Sequence, residues 1–283
     1  MKPFAIYHLF KDGFLSLERP LTDIIVPVAR PDRIFLLGAS LHRRRSESIF
    51  NKTAPGSQYV SDCTLLVLIP DLAGKTIFEW QDTIEDNCKK LIPVTVIVVQ
   101  TGTFEEWLKT GNSFACSTWQ SAVSIYGSKN VPGIISGNIF KAPENTAEER
   151  FYKNGIIKAT EFLTGAELFR IRKQYAISAF MLHQSAEQAL STLVKIGTGY
   201  EANTHNLERL IRYASLVSYQ IPDIFPRKTD REKQLFLLLQ KAYVDSRYQI
   251  EYKICIEDLL CLTDRIRDIH KILSGYRRQE ESA

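Results

Sequence analysis

The chain changes its periodicity once, between Asn138 and Thr146. Before that stretch, three short apolar runs read as strands; after it, nearly every run has helical spacing. Arg33–Leu37 (RIFLL), Thr64–Ile69 (TLLVLI) and Pro93–Val99 (PVTVIVV) are apolar on both alternating faces, as expected of buried strands. A switch of this kind implies two units rather than one layered domain, and a length of 283 residues gives each an ordinary size. The expected division is an α+β unit over residues 1–140, an all-α up-and-down bundle over 146–275 and a polar, frayed tail over 276–283.

Within the first unit, Asp23–Val28 fits a strand or a buried helix end, with Pro27 against a central strand. Lys75–Leu91 carries Ile77, Trp80, Ile84, Cys88 and Leu91 at helical spacing and reads as an amphipathic helix packed on the core. Short helices are expected from Phe104 to Lys109 and over Trp119–Tyr126, and a turn at Gly38-Ala39-Ser40. In the second unit the expected helices are Ala147–Leu163, Tyr175–Ile196, Asn206–Ser218, Asp230–Tyr248 and Ile256–Leu273, with a loop at Pro222–Pro226.

Charge excludes a polycation. The formal net charge is +4, with 14 basic against 13 acidic residues up to position 140 and 22 against 19 beyond it. Strong non-specific nucleic-acid binding is not implied, although a local basic patch can hold phosphates. The five cysteines lack CxxC spacing, which fits reduced, mostly buried thiols and a cytoplasmic setting. No apolar run is long enough to cross a bilayer, so no membrane partner is expected.

The stretch richest in site chemistry is Gln240–Ile254 (QKAYVDSRYQIEYKI), which sets Arg247 among Tyr243, Tyr248 and Tyr252 at the end of a helix. Two readings fit it: a phosphate or RNA cleft, or an Arg247–Asp245 pair with tyrosines packing a dimer interface. His183 and Glu187 share a helix face and read first as a structural pair. His205 reads as a helix-start residue. His42-Arg43-Arg44-Arg45 fits a phosphate-receiving loop or a solvated basic one, and Asp62 a metal ligand or a turn former.

Leu182–Leu190 (LHQSAEQAL), Thr204–Leu210 (THNLERL) and Ala242–Ile254 together resemble HEPN domains. The resemblance implies a helical bundle that dimerises, and in many members a ribonuclease with an Arg-x4–6-His motif at the dimer interface; others bind nucleotides or act as inactive partners. Here Arg247 matches the arginine, but Tyr252 stands where the histidine is expected and no histidine falls in the window. A tyrosine of ordinary pKa, about 10, is a poor general base. Arg247 and Tyr252 are thus the catalytic candidates the resemblance supplies, with standard cleavage not expected.

The first unit resembles a divergent minimal nucleotidyltransferase, a domain often fused to HEPN domains. That resemblance implies a Gly-Ser phosphate turn and a set of carboxylates holding two Mg2+ ions. Gly38, Ser40 and Asp62 are the nucleotide-binding candidates it supplies here, beside Arg43 of the basic stretch and Tyr248 of the Arg247 stretch, and Asp62 is the metal candidate. The second carboxylate position is Thr64, and Pro93–Val99 offers no third, so Mg2+ has an incomplete ligand set. The expected function is nucleotide or RNA binding by a homodimer without standard catalysis, in a stress or defence setting that the resemblance implies. The alternatives are an active transferase placing AMP on a tyrosine, a ribonuclease with rearranged groups, or an interaction scaffold.

Overall fold

The computed structural model describes residues 15–44, 57–127, 145–249 and 251–280. The chain divides into two compact units, Met1–Ala142 and Pro143–Ala283.

The first unit holds α1 (Leu15–Ala29), β1 (Arg33–Arg44), β2 (Ser57–Ile69), α2 (Ile77–Cys88), β3 (Val94–Gln100), α3 (Thr101–Thr110), α4 (Ser113–Ser121) and β4 (Val123–Tyr126). The sheet order is β3-β2-β1-β4; β2 and β3 run parallel and the other pairs antiparallel. Alternation along each strand divides the apolar side chains between two faces. Ile34, Leu36, Leu65, Val67, Val96 and Val98 pack with Leu21 and Ile25 of α1 and Trp80 and Ile84 of α2. On the other face Phe35 meets Phe104 of α3 and Trp119 of α4, with ring centroids 6.2 and 6.1 Å away. A capping box starts α2, in which Thr76 Oγ1 accepts from Glu79 N and Glu79 Oε2 accepts from Thr76 N.

Of the two readings of Asp23–Val28, the buried helix end is the one found, despite Pro27, because Leu21, Ile25 and Ala29 form a buried i, i+4, i+8 stripe. Two expectations for this unit change. Gly38-Ala39-Ser40 is no turn: β1 runs through it to Arg44, with Gly38 opposite Thr64, Ala39 opposite Cys63 and Ser40 opposite Asp62. Register irregularities between Leu36 and Gly38 and between Ser40 and Leu41 absorb the misfit, so pairing with β2 overrides the turn preference of the tripeptide. Trp119–Tyr126 is split: α4 ends at Ser121, Ala122 is extended at φ −75° and ψ 149°, and Val123–Tyr126 adds to the edge of β1. The β-branched alternation of Val-Ser-Ile-Tyr suits an edge strand better than a helix.

The second unit holds α5 (Asn145–Ile171), α6 (Tyr175–Thr198), α7 (Leu207–Ala214), α8 (Ile221–Ile224), α9 (Asp230–Ala242), α10 (Asp245–Tyr248) and α11 (Ile256–Glu280). Helix α6 is the hub: Leu182, Ala186, Ala189, Leu190 and Leu193 are wholly buried, and it packs against α5, α7, α9 and α11. Helix α11 runs on to Glu280, so most of the expected polar tail is helical; residues 281–283 lie outside the described residues. Of the expected boundary segment Asn138–Thr146, residues 138–144 also lie outside them. Pro222–Pro226 includes part of the single helical turn α8.

The expected helix Asp230–Tyr248 breaks after Ala242, and the break shapes the site. Val, Asp and Ser at 244–246 favour helix interiors weakly, and Ser and Asp compete for backbone groups. Ser246 Oγ donates to Ala242 O at 2.5 Å and Arg247 Nε donates to Tyr243 O at 2.7 Å, so side chains occupy the carbonyls at the end of α9. Cys63, Cys88 and Cys116 are buried, whereas Cys255 and Cys261 are exposed. Among the described residues no helix is long and apolar enough to cross a membrane.

Candidate functional site

The break after α9 turns Arg247 back over an aromatic floor. Its Cζ lies 4.7 Å from the Tyr243 ring centroid and 5.1 Å from those of Phe180 and Tyr248. Each contact is a cation–π arrangement, and together they place the guanidinium among three rings. Arg247 is exposed, and Tyr248 is 74% exposed. The anticipated Arg247–Asp245 pair gives way to the bond from Arg247 Nε to the Tyr243 carbonyl.

Tyr243 is the common platform. Phe180 stacks against it at 6.5 Å, His183 lies at 5.2 Å, and His205 lies nearly parallel at 4.6 Å and 15°. His205 reaches this ring because it is not the cap of α7: Asn206 Oδ1 accepts from Arg209 N and fills that role. Beneath the rings Glu187, 7% exposed, accepts from His205 Nδ1 at 3.0 Å through Oε1 and from Gln184 Nε2 at 3.1 Å through Oε2. The anticipated His183–Glu187 pair stands at 3.7 Å, beyond hydrogen-bonding distance, so His205 takes the carboxylate instead.

His183 is fully buried, and its Nε2 makes no well-formed hydrogen bond among the described residues. Burial, then the charges of His205 and Arg247, push its imidazole down to about 3, partly opposed by the His205 backbone. The unfolded imidazole takes up a proton near 6.5, so the unfolded state holds more protons between roughly pH 6.5 and pH 3. Stability from neutral His183 is therefore complete above about pH 6.5 and is lost as pH falls toward about 3. The thermal midpoint should drop below about pH 6.5, and less steeply in His183→Gln; identical slopes would refute this.

Tyr252 is placed for structure rather than proton transfer. Its hydroxyl donates to Leu238 O at 2.9 Å, and burial, then Asp245 and Asp258, raise its pKa well above that of an ordinary phenol. A phenol held protonated on a carbonyl is no base.

In the other unit, Ser40 Oγ donates to Asp62 Oδ1 and Ser61 Oγ to Asp62 Oδ2, both at 2.9 Å. The neighbouring Cys63 thiol is pushed up to about 12 by burial, then by Cys88 and Asp62, and is thus held as a thiol. Thr64 is buried, and no group of three His, Cys, Asp or Glu side chains suited to a metal ion occurs among the described residues. These residues do not fit the two Mg2+ ions of a nucleotidyltransferase. Gly38 lies in β1 opposite Thr64, and Arg43 lies in the same strand opposite Gln58, rather than in a loop. Arg45 lies outside the described residues.

Residues 152–276 match the family model of the HEPN domain. The match spans every residue of the Arg247 site and lies wholly within the helical unit. No curated protein matches the chain. Phe180 and Glu187, on α6, and His205, before α7, complete the Arg247 site. The sequence signal for Glu187 and His205 is the LHQSAEQAL and THNLERL motifs, which mark the segments without saying which side chains meet; Phe180 lies outside both.

Proposed function

We propose that the HEPN-matching half binds RNA or a nucleotide at the Arg247 site, and does so without the Arg-x4–6-His cleavage of related domains. The observation that carries this is Arg247 itself: an exposed guanidinium spread over three aromatic rings, beside an exposed tyrosine. Arginine in that setting offers planar donors to phosphate, and aromatic faces accept unpaired bases. HEPN domains commonly bind nucleotides or RNA, which agrees with this chemistry. The loss of cleavage rests on Tyr252, committed to Leu238 O where the motif calls for a histidine.

The first unit completes the reading as a nucleotidyltransferase-like partner that has lost two-metal chemistry, with Asp62 a remnant occupied by Ser40 and Ser61. A homodimer through the helical half belongs to the same proposal. Ile157, Leu168 and Ile171, exposed on α5, support it, and sedimentation measures it.

The test is fluorescence anisotropy with labelled single-stranded RNA of about ten nucleotides, a length within common site sizes, competed by ATP. Binding without Mg2+ is expected, and Tyr252→Phe should bind like the wild type. RNA binding unaltered by ATP assigns the site to the polymer; displacement by ATP assigns it to the nucleotide. Absence of binding to both defeats the proposal. Intact-mass measurement after incubation with ATP and Mg2+ tests the first unit: an added AMP would overturn the loss of transfer.

A further inference from the structure

The guanidinium of Arg247 is not the only cation-capable group on Tyr243. The His205 ring lies against the same tyrosine, with its centroid 4.6 Å from the Tyr243 centroid and Arg247 Cζ at 4.7 Å. Imidazole and guanidinium therefore stand within the sum of those two distances. The His205 side chain is 57% exposed.

Its orientation is fixed from below. Glu187 Oε1 lies 3.0 Å from His205 Nδ1, and a carboxylate only accepts, so Nδ1 carries the hydrogen. In the neutral ring Nε2 then presents a lone pair, which a phosphate oxygen avoids. In the protonated ring Nε2–H is a donor, and the charge is countered by the buried Glu187 carboxylate. The site then carries two cations over one carboxylate, and an anion between them completes the balance.

We propose that His205, anchored through Nδ1 by Glu187, is a second ligand-contacting side chain of the Arg247 site, and that its protonation tightens the grip on a phosphodiester as pH falls. This deepens the RNA-binding reading and rests on it. The groups facing the imidazole are Glu187 and His183 of α6, Tyr243 at the end of α9 and Arg247 of α10. Arg247 keeps its charge at every relevant pH. Buried His183, pushed down to about 3, stays neutral where an ordinary imidazole titrates. Within this cluster His205 is the imidazole that both meets a carboxylate and reaches solvent.

The test uses the full chain and a single-stranded RNA without a terminal phosphate, because phosphodiesters do not titrate in this range. Wild-type affinity should rise about tenfold from about pH 8 to about pH 6, the scale of one charged hydrogen bond. His205→Asn should lose the rise. His205→Lys, a permanent cation, should bind tightly at both values. An equal rise in His205→Asn and wild type, or no rise in wild type that still binds, overturns this inference alone. Wild type that binds at neither pH overturns the RNA-binding reading beneath it.

Discussion

Arg247→Ala is expected to weaken RNA binding by more than about tenfold while leaving the thermal midpoint within about a degree of wild type. The two halves of that expectation come from the same geometry. The side chain is exposed, and among the described residues it bonds through Nε to Tyr243 O, a contact that does not use the terminal nitrogens through which arginine meets phosphate. Deleting it removes a charge-assisted contact from the ligand, yet strips little from the fold, since the exposed Tyr243 carbonyl end can turn to water. Arg247→Lys separates charge from shape. Lysine keeps the cation but lacks the flat fork laid over Phe180, Tyr243 and Tyr248, so it should recover only part of the lost affinity. Full recovery by lysine would reduce the site to a general basic patch. A large fall in the midpoint of Arg247→Ala would favour the structural alternative, in which the arginine chiefly packs the tyrosines.

The division of the chain into a sheet-bearing unit and a helical one was legible because it rests on periodicity, and periodicity is local. Pro93–Val99 has no polar face in any register, and Tyr175–Thr198 buries residues at helical spacing along its whole length. The errors arose where a distant partner decided the outcome. Gly38-Ala39-Ser40 looks like a turn until β2 pairs with it, and Val123–Tyr126 is too short to declare itself a strand without the edge of β1.

The site divides the same way. Arg247, Tyr243 and Tyr248 lie within six residues, so the sequence alone groups them. Phe180, Glu187 and His205 join them only because α6 and the segment before α7 cross beneath the break in α9. The spacing that makes Tyr252 a candidate does not show what its hydroxyl meets. The residue sits at the motif position, but its hydroxyl is bonded to Leu238 O.

A second large effect is expected at Gly155, where α5 meets α6. A Cβ there would lie 2.1 Å from Thr192 Oγ1 and 2.7 Å from its Cγ2. Thr192 is 2% exposed, and its Oγ1 is bonded to Gln188 O at 2.7 Å, so it cannot simply swing aside. The close approach is needed elsewhere along the pair: Ser178 Oγ and Ser185 Oγ of α6 donate to Ala166 O and Ala159 O of α5, each at 2.8 Å. Forcing the helices apart at Gly155 strains both bonds. Helix propensity alone would favour alanine by about 1 kcal/mol, whereas overpacking a tight interior costs about 1–3 kcal/mol. Gly155→Ala should therefore lose up to about 2 kcal/mol on balance, read as a fall of a few degrees in the midpoint. In a Thr192→Ala background the same change should cost less, because two of the clashing atoms are gone, and a double-mutant cycle would return a coupling of about 1 kcal/mol. Gly165 provides the opposite sign. Its added Cβ would meet only the flexible Met181 side chain, nearest at 3.7 Å, so Gly165→Ala should stabilise by about 0.5–1 kcal/mol. If the two glycines respond alike, the α5–α6 pair is not packed at the distance on which the buried serine bonds depend.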